Sequence, residues 1–365
     1  MLTPPPPDIL TTAQLLPGHA PVTAPAATGR ALACLLTPGS VTDDNLAGLI
    51  RRLDERFAVY VATTPFGVWA PGLILTAEMR AVTEQLLPLG EVRRAFRRLF
   101  RLTLGREPDL DGTPLTMAMT WLDCLERLDP PFRMANPAAL LARLAADDEL
   151  RCRFLFALFV PRRHGAATVR YPGQAEFLRH WLRQRDRLPR QQLRCLDVAC
   201  GAGEGTYGMA QLLLAEEFAP GSFHVLGASR DPIEIFAATH SFFPHDPDRA
   251  AAHERIRTAL RAVGALERIR FIAEDLLATE EGVSWDVILC NGILGGPLMH
   301  EESTLKRAVT TLAVRLTAGG IILAADRFHD GWKRRVPPER LAGLFAEAGL
   351  TVVQAGEGVA GIRTG

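Results

Sequence analysis

Residues 196–206 constrain the fold of this chain more than any other stretch. An apolar run ends at Val198 and breaks into three glycines, Gly201, Gly203 and Gly205, before a helical pattern begins. Glycine lets the backbone adopt positive φ and pass close to a bulky ligand, and the next helix points free N–H groups toward that ligand. The stretch therefore predicts a strand, a ligand-binding loop and a helix in succession.

The spacing of the glycines separates alternative binding loops. A phosphate loop of the form GxxxxGK[ST] needs a lysine after its last glycine, and no lysine follows a glycine here. The dinucleotide pattern GxGxxG is not met, because Thr206 stands at its third glycine. That mismatch argues against a nicotinamide-dependent oxidoreductase. Asp197, just before the loop, instead resembles the acidic residue of motif I, D/E-x-G-x-G-x-G, in class I S-adenosylmethionine (SAM)-dependent methyltransferases, with Ala199 at the first glycine.

The rest of the second half predicts a parallel α/β sheet. Further apolar runs cover 223–229, 269–273, 285–290 and 320–325. They alternate with helical patterns, of which one covers 206–218 and another begins at Pro232 after the N-cap Asp231. Such alternation indicates strands covered by helices on both faces. The resemblance implies a Rossmann-like, mostly parallel sheet of seven strands. The residues of the first half predict a helical-rich α+β N-terminal domain before it.

In open α/β sheets the ligand lies beyond the carboxyl ends of the strands. By resemblance, the cofactor is SAM and its product S-adenosylhomocysteine. The residues implied to bind it are Asp197, Ala199, Gly201, Ala202, Gly203, Thr206, Ser229, Arg230, Asp231, Asp275, Leu276, Asn291 and Tyr171. Ser229 stands where these enzymes usually place a carboxylate that binds the ribose hydroxyls. Asp231, two residues further on, is the carboxylate predicted to bind them instead. As a helix N-cap, Asp231 has a structural explanation as well.

Methyl transfer is an in-line displacement, so the protein mainly brings donor and acceptor together. A carboxylate acceptor needs no base, whereas a hydroxyl acceptor does. His300 follows the fourth strand and His329 follows the fifth, and both are the predicted catalytic candidates.

Residues 203–210 and 286–290 also resemble the CheR-type methyltransferases, which esterify receptor glutamates. The resemblance covers the second half of the chain, and the CheR signature segments are altered at residues 168–172 and 229–231. The predicted function is therefore methyl transfer to an O or N of a small molecule. Methylation of a protein carboxylate is the alternative. A non-catalytic scaffold or sensor that binds SAM or its product is the second alternative.

The first half predicts three further features. Residues 1–27 are rich in proline and predict a flexible tail, and residues 28–165 form the N-terminal domain before the SAM-binding domain of residues 166–365. Helices are expected from Asp44 and from Thr76 onward, with short strands at 59–61, 68–70 and 72–75 between them. The arginines of residues 93–101 predict a solvated helix face, with contact to an anionic partner as the alternative.

Charge and composition limit the partners. Lysine plus arginine and aspartate plus glutamate number 41 each, which argues against an extended nucleic-acid surface. No apolar run reaches the ~18 residues of a membrane helix, and a signal pattern is lacking, so a cytoplasmic location without a membrane partner is expected. The six scattered cysteines have neither CxxC spacing nor a nearby histidine, so no metal site is predicted. Oligomeric state is not predicted.

Overall fold

The computed structural model describes residues 18–64, 68–162, 169–184, 192–275, 283–296, 299–326 and 336–364. Helices form the first half of the chain, and a seven-stranded sheet with flanking helices forms the second. The helices of the first half are α1 (Pro25–Leu35), α2 (Asp44–Thr63), α3 (Ala77–Leu86), α4 (Leu89–Leu104), α5 (Pro114–Met117), α6 (Trp121–Arg127), α7 (Pro137–Ala146) and α8 (Asp148–Phe159).

The strands of the second half are β1 (Leu193–Val198), β2 (Phe223–Ser229), β3 (Ile269–Ala273), β4 (Trp285–Cys290), β5 (Leu316–Ala325), β6 (Leu350–Ala355) and β7 (Gly358–Arg363). Its helices are α9 (Pro172–Gln184), α10 (Glu204–Ala215), α11 (Pro232–His240), α12 (Pro247–Ala262), α13 (Glu302–Val314) and α14 (Pro338–Glu347). The predicted bounds of β2, β3 and β4 are confirmed to the residue.

The sheet has the order β3-β2-β1-β4-β5-β7-β6. Strands β1 to β5 are parallel, and β7 runs antiparallel to both β5 and β6. Alternate residues of β1 enter different cores: Cys195 packs with α9 to α12, and Leu196 packs with α13 and α14. Both faces of the sheet are therefore covered, as continuous apolar strands require. This is the predicted class I methyltransferase Rossmann-like fold.

An aromatic core holds the first half together. Phe96 of α4 stacks on Trp121 of α6, with ring centroids 6.0 Å apart, and on Phe154 of α8, at 5.7 Å. The same core continues into the second half, because Phe156 of α8 meets Phe236 of α11 edge to face at 5.9 Å. The two halves therefore share buried apolar surface, and their treatment as two domains stays a proposal.

The strands predicted at 59–61, 68–70 and 72–75 are wrong. Helix α2 continues to Thr63, because Leu46, Leu49, Leu53 and Tyr60 share one buried face at helical spacing. That tertiary packing overrides the strand preference of Val59-Tyr60-Val61. Residues 68–75 contain one turn, at residues 71–72, and are otherwise irregular, and the described part of residues 28–165 contains helices and no strand.

The prediction of a flexible tail over residues 1–27 is wrong for residues 18–27. The N–H of His19 donates to Phe271 O at 2.7 Å, and the N–H of Phe271 donates back at 2.9 Å, so this segment pairs with the edge strand β3. Val22 then donates to Thr239 O at 2.8 Å. The free edge of the sheet explains this docking, since an edge strand offers unpaired backbone groups. Residues 1–17 lie outside the described residues.

Among the helices described, none is long and apolar enough to cross a membrane.

Candidate functional site

A cavity of about 700 Å³ opens at the carboxyl ends of the parallel strands. The sheet half contributes the loop after β1, the ends of β2 and β4, and the start of α9. The helical half contributes residues 106–117, called here the helical wall, and the end of α8. The cavity therefore lies between the two halves, where the topology predicts a ligand.

The glycine loop forms one side of this cavity. Ala199 and Gly201 line it and have φ of 58° and 56°. Gly203, with φ of 91°, lies behind them: a Cβ there would approach Cε1 of Phe271 to 2.9 Å. Ala202 is buried in the core that the two halves share. Residues 199–201 thus line the cavity, whereas Ala202 and Gly203 pack against the protein.

Asp197 is the buried carboxylate of the cavity. Its Oδ2 accepts a hydrogen bond from Oγ1 of Thr206 at 2.8 Å. Burial raises the pKa of Asp197 to about 6, against the lowering effect of the Thr206 hydrogen bond and the Arg170 charge. Thr206 is fully buried, so its predicted role in the site is exerted through Asp197.

The end of β2 holds a carboxylate that the sequence analysis missed. Ser229 donates its hydroxyl to Oε2 of Glu234 at 2.5 Å, and both residues line the cavity. Glu234 lies in the first turn of α11, where a carboxylate is favoured by the helix dipole. The signal in the sequence is the short separation of Glu234 from Ser229, because a glutamate in the first turn of a helix that follows a strand can reach back to the end of that strand.

Asp231 and Arg230 line the same part of the cavity but are engaged elsewhere. Asp231 caps α11 by accepting from the N–H of Ile233 at 2.9 Å, as predicted, and burial raises its pKa. Arg106 lies 3.6 Å from Asp231, and Arg230 forms an ion pair with Asp109. These pairs connect the end of β2 to the helical wall.

The end of β4 is joined to the start of α9 by an amide pair. Gln174 and Asn291 exchange hydrogen bonds of 3.0 and 2.8 Å, and Oδ1 of Asn291 also accepts from Ala325 N at 2.9 Å. Tyr171, just before α9, is buried and lines the cavity. Asn291 and Tyr171 are predicted site residues, whereas Gln174 is not predicted from the sequence because its partner Asn291 is distant in the chain.

The remaining predicted residues are placed as follows. Asp275, just past β3, lines the cavity, whereas Leu276 and His329 lie outside the described residues. His300 follows Met299, which lines the cavity, and Nε2 of His300 lies 3.2 Å from Oε1 of Glu301. His300 itself is not among the described residues that line the cavity.

A buried charged cluster lies behind the glycine loop, and the sequence analysis missed it. Nε of Arg249 donates to Oε1 of Glu204 at 2.6 Å, and Nε2 of His253 lies 3.3 Å from the same oxygen. Arg170 lies 3.5 Å from Oε2. Although burial opposes ionisation, the His253 contact and the arginine charges hold the pKa of Glu204 well below its usual range. Glu204 is therefore an anion in the folded protein.

No protein-family model and no curated protein matches this chain. Solved structures that resemble it include an O-methyltransferase segment of StiE, with 19% identity over 49% of this chain and a TM-score of 0.32. That match covers 52% of the StiE chain, or about half. The N-methyltransferase NodS from Bradyrhizobium japonicum WM9 has 16% identity, 54% coverage of this chain, 99% of its own, and a TM-score of 0.34.

Magnesium protoporphyrin IX methyltransferase (ChlM) from Synechocystis PCC 6803, with bound SAM, has 14% identity and a TM-score of 0.35. The match covers 60% of this chain and 98% of that protein. At this level of similarity the matches establish neither the family nor the activity of this chain.

Proposed function

We propose that this protein is a SAM-dependent methyltransferase that acts on an oxygen or nitrogen of a small molecule. The observation that carries the proposal is the position of the glycine loop. It follows the central strand β1 in a sheet ordered β3-β2-β1-β4-β5-β7-β6 and faces a cavity shared with the ends of β2 and β4.

The residues present fit SAM. Space beside Gly201 is open, since a Cβ built there would meet only Oε1 of Glu234, at 3.8 Å. Glu234 and Ser229 together offer acceptors for the two ribose hydroxyls. Asp197 offers a carboxylate to the ammonium group of the methionine part. The serine at the ribose position is thus accompanied by a carboxylate, which weakens the case for a degenerate, non-catalytic site.

When bound, SAM supplies an electrophilic methyl group: the acceptor lone pair forms the new bond, the C–S bond breaks, and its electron pair returns to sulfur. The protein contributes orientation, because the loop, Asp197 and Glu234 fix the donor from one side. The acceptor proton goes to a base or to water. His300 and His329 stay predictions for that base.

The helical half supports a small acceptor. The helical wall and the end of α8 add apolar surface to the cavity from Met117, Leu158 and Phe159. A cavity of about 700 Å³ has the size of small-molecule sites. Methylation of a protein carboxylate, as in CheR-type enzymes, stays the alternative. Location in the cytoplasm also stays a prediction.

The test is calorimetric titration with SAM, S-adenosylhomocysteine and NADH, followed by transfer of a labelled methyl group to a panel of small amines, phenols and proteins. We expect binding of the first two ligands and labelling of a small molecule. NADH binding alone would overturn the proposal. Labelled protein would support the CheR-type alternative, and binding without any transfer would support the scaffold.

A matched pair of variants ties binding to the site. Glu234→Gln should weaken S-adenosylhomocysteine binding about 10-fold, because a charge-assisted hydrogen bond to the ribose is lost. Glu176→Gln, an exposed change on α9, should leave affinity unchanged.

A further inference from the structure

Exposed apolar side chains lie at the mouth of the cavity. In the described part of the chain, Met117 and Val169 line the cavity although their exposed fractions are 53% and 42%. Met119, two residues beyond Met117, is 80% exposed. Single exposed apolar residues are ordinary on a protein surface, whereas a group of them beside a cavity indicates a surface that a ligand covers.

The segment that carries Met117 and Met119 is firmly held. The guanidinium of Arg93, on α4, donates to the carbonyl oxygens of Leu115 at 2.6 Å and Ala118 at 2.8 Å. Leu115 and Ala118 are themselves buried in the core of the helical half. Because its other side chains point inward, this fixed backbone displays Met117 and Met119 on the surface.

A third apolar residue, Ile74, extends this surface away from the cavity. Its side chain is 84% exposed, whereas that of the next residue, Leu75, is buried. Arg80 connects the two segments, because its guanidinium donates to Leu75 O at 2.9 Å and to Oδ1 of Asp123 at 2.8 Å. Asp123 lies in the first turn of α6, directly after the segment of Met119. Three residues thus form an apolar track that starts at the cavity: Met117, Met119 and Ile74.

Charged groups at the same mouth are paired with one another. Arg106 lies 3.6 Å from Asp231, and Arg230 forms an ion pair with Asp109. Asp111, which also lines the cavity, is exposed to solvent. A ligand that extends along the track therefore gains apolar contacts, and the two methionine side chains can adapt to different apolar shapes.

We propose that the methyl acceptor is a small amphipathic molecule with an apolar chain. Its nucleophilic oxygen or nitrogen lies in the cavity, and its chain leaves the cavity past Met117 and lies on Met119 and Ile74. The continuity of the track with the cavity favours this occupant, because a chain that starts inside the cavity is already directed onto the track. This inference rests on the proposed function and assigns the chemical class of its second substrate.

The test is calorimetric titration of the protein, loaded with S-adenosylhomocysteine, with 4-methylphenol, 4-propylphenol and 4-hexylphenol. The affinity should rise about two- to four-fold for each added methylene, since each one removes apolar surface from water. A double variant, Met119→Ser with Ile74→Ser, should keep the gain from methyl to propyl and lose most of the gain from propyl to hexyl. Only the longer chain reaches the track beyond Met117.

The fold should not be affected by the double variant, because both replaced side chains are exposed. The matched control is Val314→Ser at the end of α13, where the side chain is 60% exposed and lies outside the cavity wall. It should leave the affinities of all three phenols unchanged.

An affinity that does not rise with chain length in the wild type overturns the inference, as does a double variant that keeps the full gain. Binding to phosphatidylcholine vesicles, or dimer formation, that the double variant abolishes would assign the track to a lipid surface or to a second copy of this chain. Either result also overturns the inference. A protein that does not bind S-adenosylhomocysteine at all would instead overturn the proposed function itself.

Discussion

The two walls of the cavity are built differently. On the sheet side, polar groups are buried and hydrogen-bonded to one another, as in Thr206 with Asp197 and Gln174 with Asn291. On the helical side, the charged groups are exposed: the side chains of Asp109 and Glu107 are 46% and 50% accessible and pair with arginines at the surface. Buried networks hold one geometry, whereas exposed ion pairs contribute little and rearrange readily.

This contrast separates two tasks. The sheet side is suited to a constant ligand, because its groups are already oriented before binding. The helical wall combines apolar residues with loosely held charges, which suits it to selecting the second substrate. We therefore expect substitutions on the sheet side to change cofactor affinity and fold stability, and substitutions in the helical wall to change acceptor KM.

The largest expected effect comes from Arg249, which joins the two walls. Arg249 binds Glu204 and donates to the carbonyl groups of Val160 and Pro161, at 3.4 and 3.3 Å. Arg249→Met should lower the free energy of unfolding by about 3–5 kcal/mol, because it leaves Glu204 buried beside fewer cations. Denaturant unfolding measures this.

The control is Arg101→Met, which removes an exposed pair with Glu107 and should cost less than about 1 kcal/mol. Equal losses of unfolding free energy in the two variants would contradict the proposed difference between the two walls of the cavity.

Gly203→Ala should have the next largest effect. The new Cβ would meet Cε1 of Phe271 at 2.9 Å and Cβ of Ala238 at 3.0 Å, at a residue with φ of 91°. The left-handed conformation and the overpacking together should cost about 2–4 kcal/mol of unfolding free energy, and SAM binding should weaken with it. Gly264→Ala also has positive φ but meets nothing within 4 Å, so it should cost only about 1 kcal/mol. If Gly203→Ala leaves the free energy of unfolding unchanged, the glycine loop can shift to accommodate the added methyl group.

We expect Asp197 to make the affinity for the proposed cofactor depend on pH. Its folded-state pKa of about 6 lies above the ordinary value of 3.8, so the folded state favours the neutral carboxyl. The contribution of Asp197 to the free energy of unfolding is therefore fully present below the ordinary pKa and is lost as pH rises through about 6. Binding of a cation requires the ionised form, so SAM affinity should fall about four-fold from pH ~7.5 to pH ~5.5.

Titration calorimetry at both pH values tests this expectation. Asp197→Asn keeps an oxygen that can accept from Thr206 and should remove the pH dependence. If SAM affinity depends on pH in Asp197→Asn as it does in the wild type, a group other than Asp197 causes the pH dependence.

Ala199→Gly should have the smallest effect. Ala199 is exposed and has φ of 58°, a conformation that glycine adopts without strain. Relief of that strain is partly offset by the greater unfolded-state entropy of glycine, so a net gain of about 0.5 kcal/mol is expected in denaturant unfolding. Destabilisation by Ala199→Gly would mean that the methyl group of Ala199 makes a contact that stabilises the folded protein.

The positions of β2, β3 and β4 could be read from the sequence because each is a continuous apolar run ended by a polar residue or a turn. Asp231 could be identified as a cap because capping depends on residues one or two positions away. The strand at residues 59–61 was mispredicted because local preference there competes with burial of Tyr60 against α3, whose Thr83 donates to the Tyr60 hydroxyl. Docking of residues 18–22 depends on the free edge of β3, which no local pattern reveals.

The sequence by itself determined the glycine loop, the α/β pattern and the strand-end residues, because these follow from hydrophobic period and local backbone chemistry. Only the tertiary structure brought Glu234 onto Ser229, joined Gln174 to Asn291 and placed Arg170 beside Glu204 and Asp197. The physical reason is that hydrogen bonds and charges act over a few ångströms in space. Partners that lie far apart in the chain therefore become partners only once the strands and helices are packed.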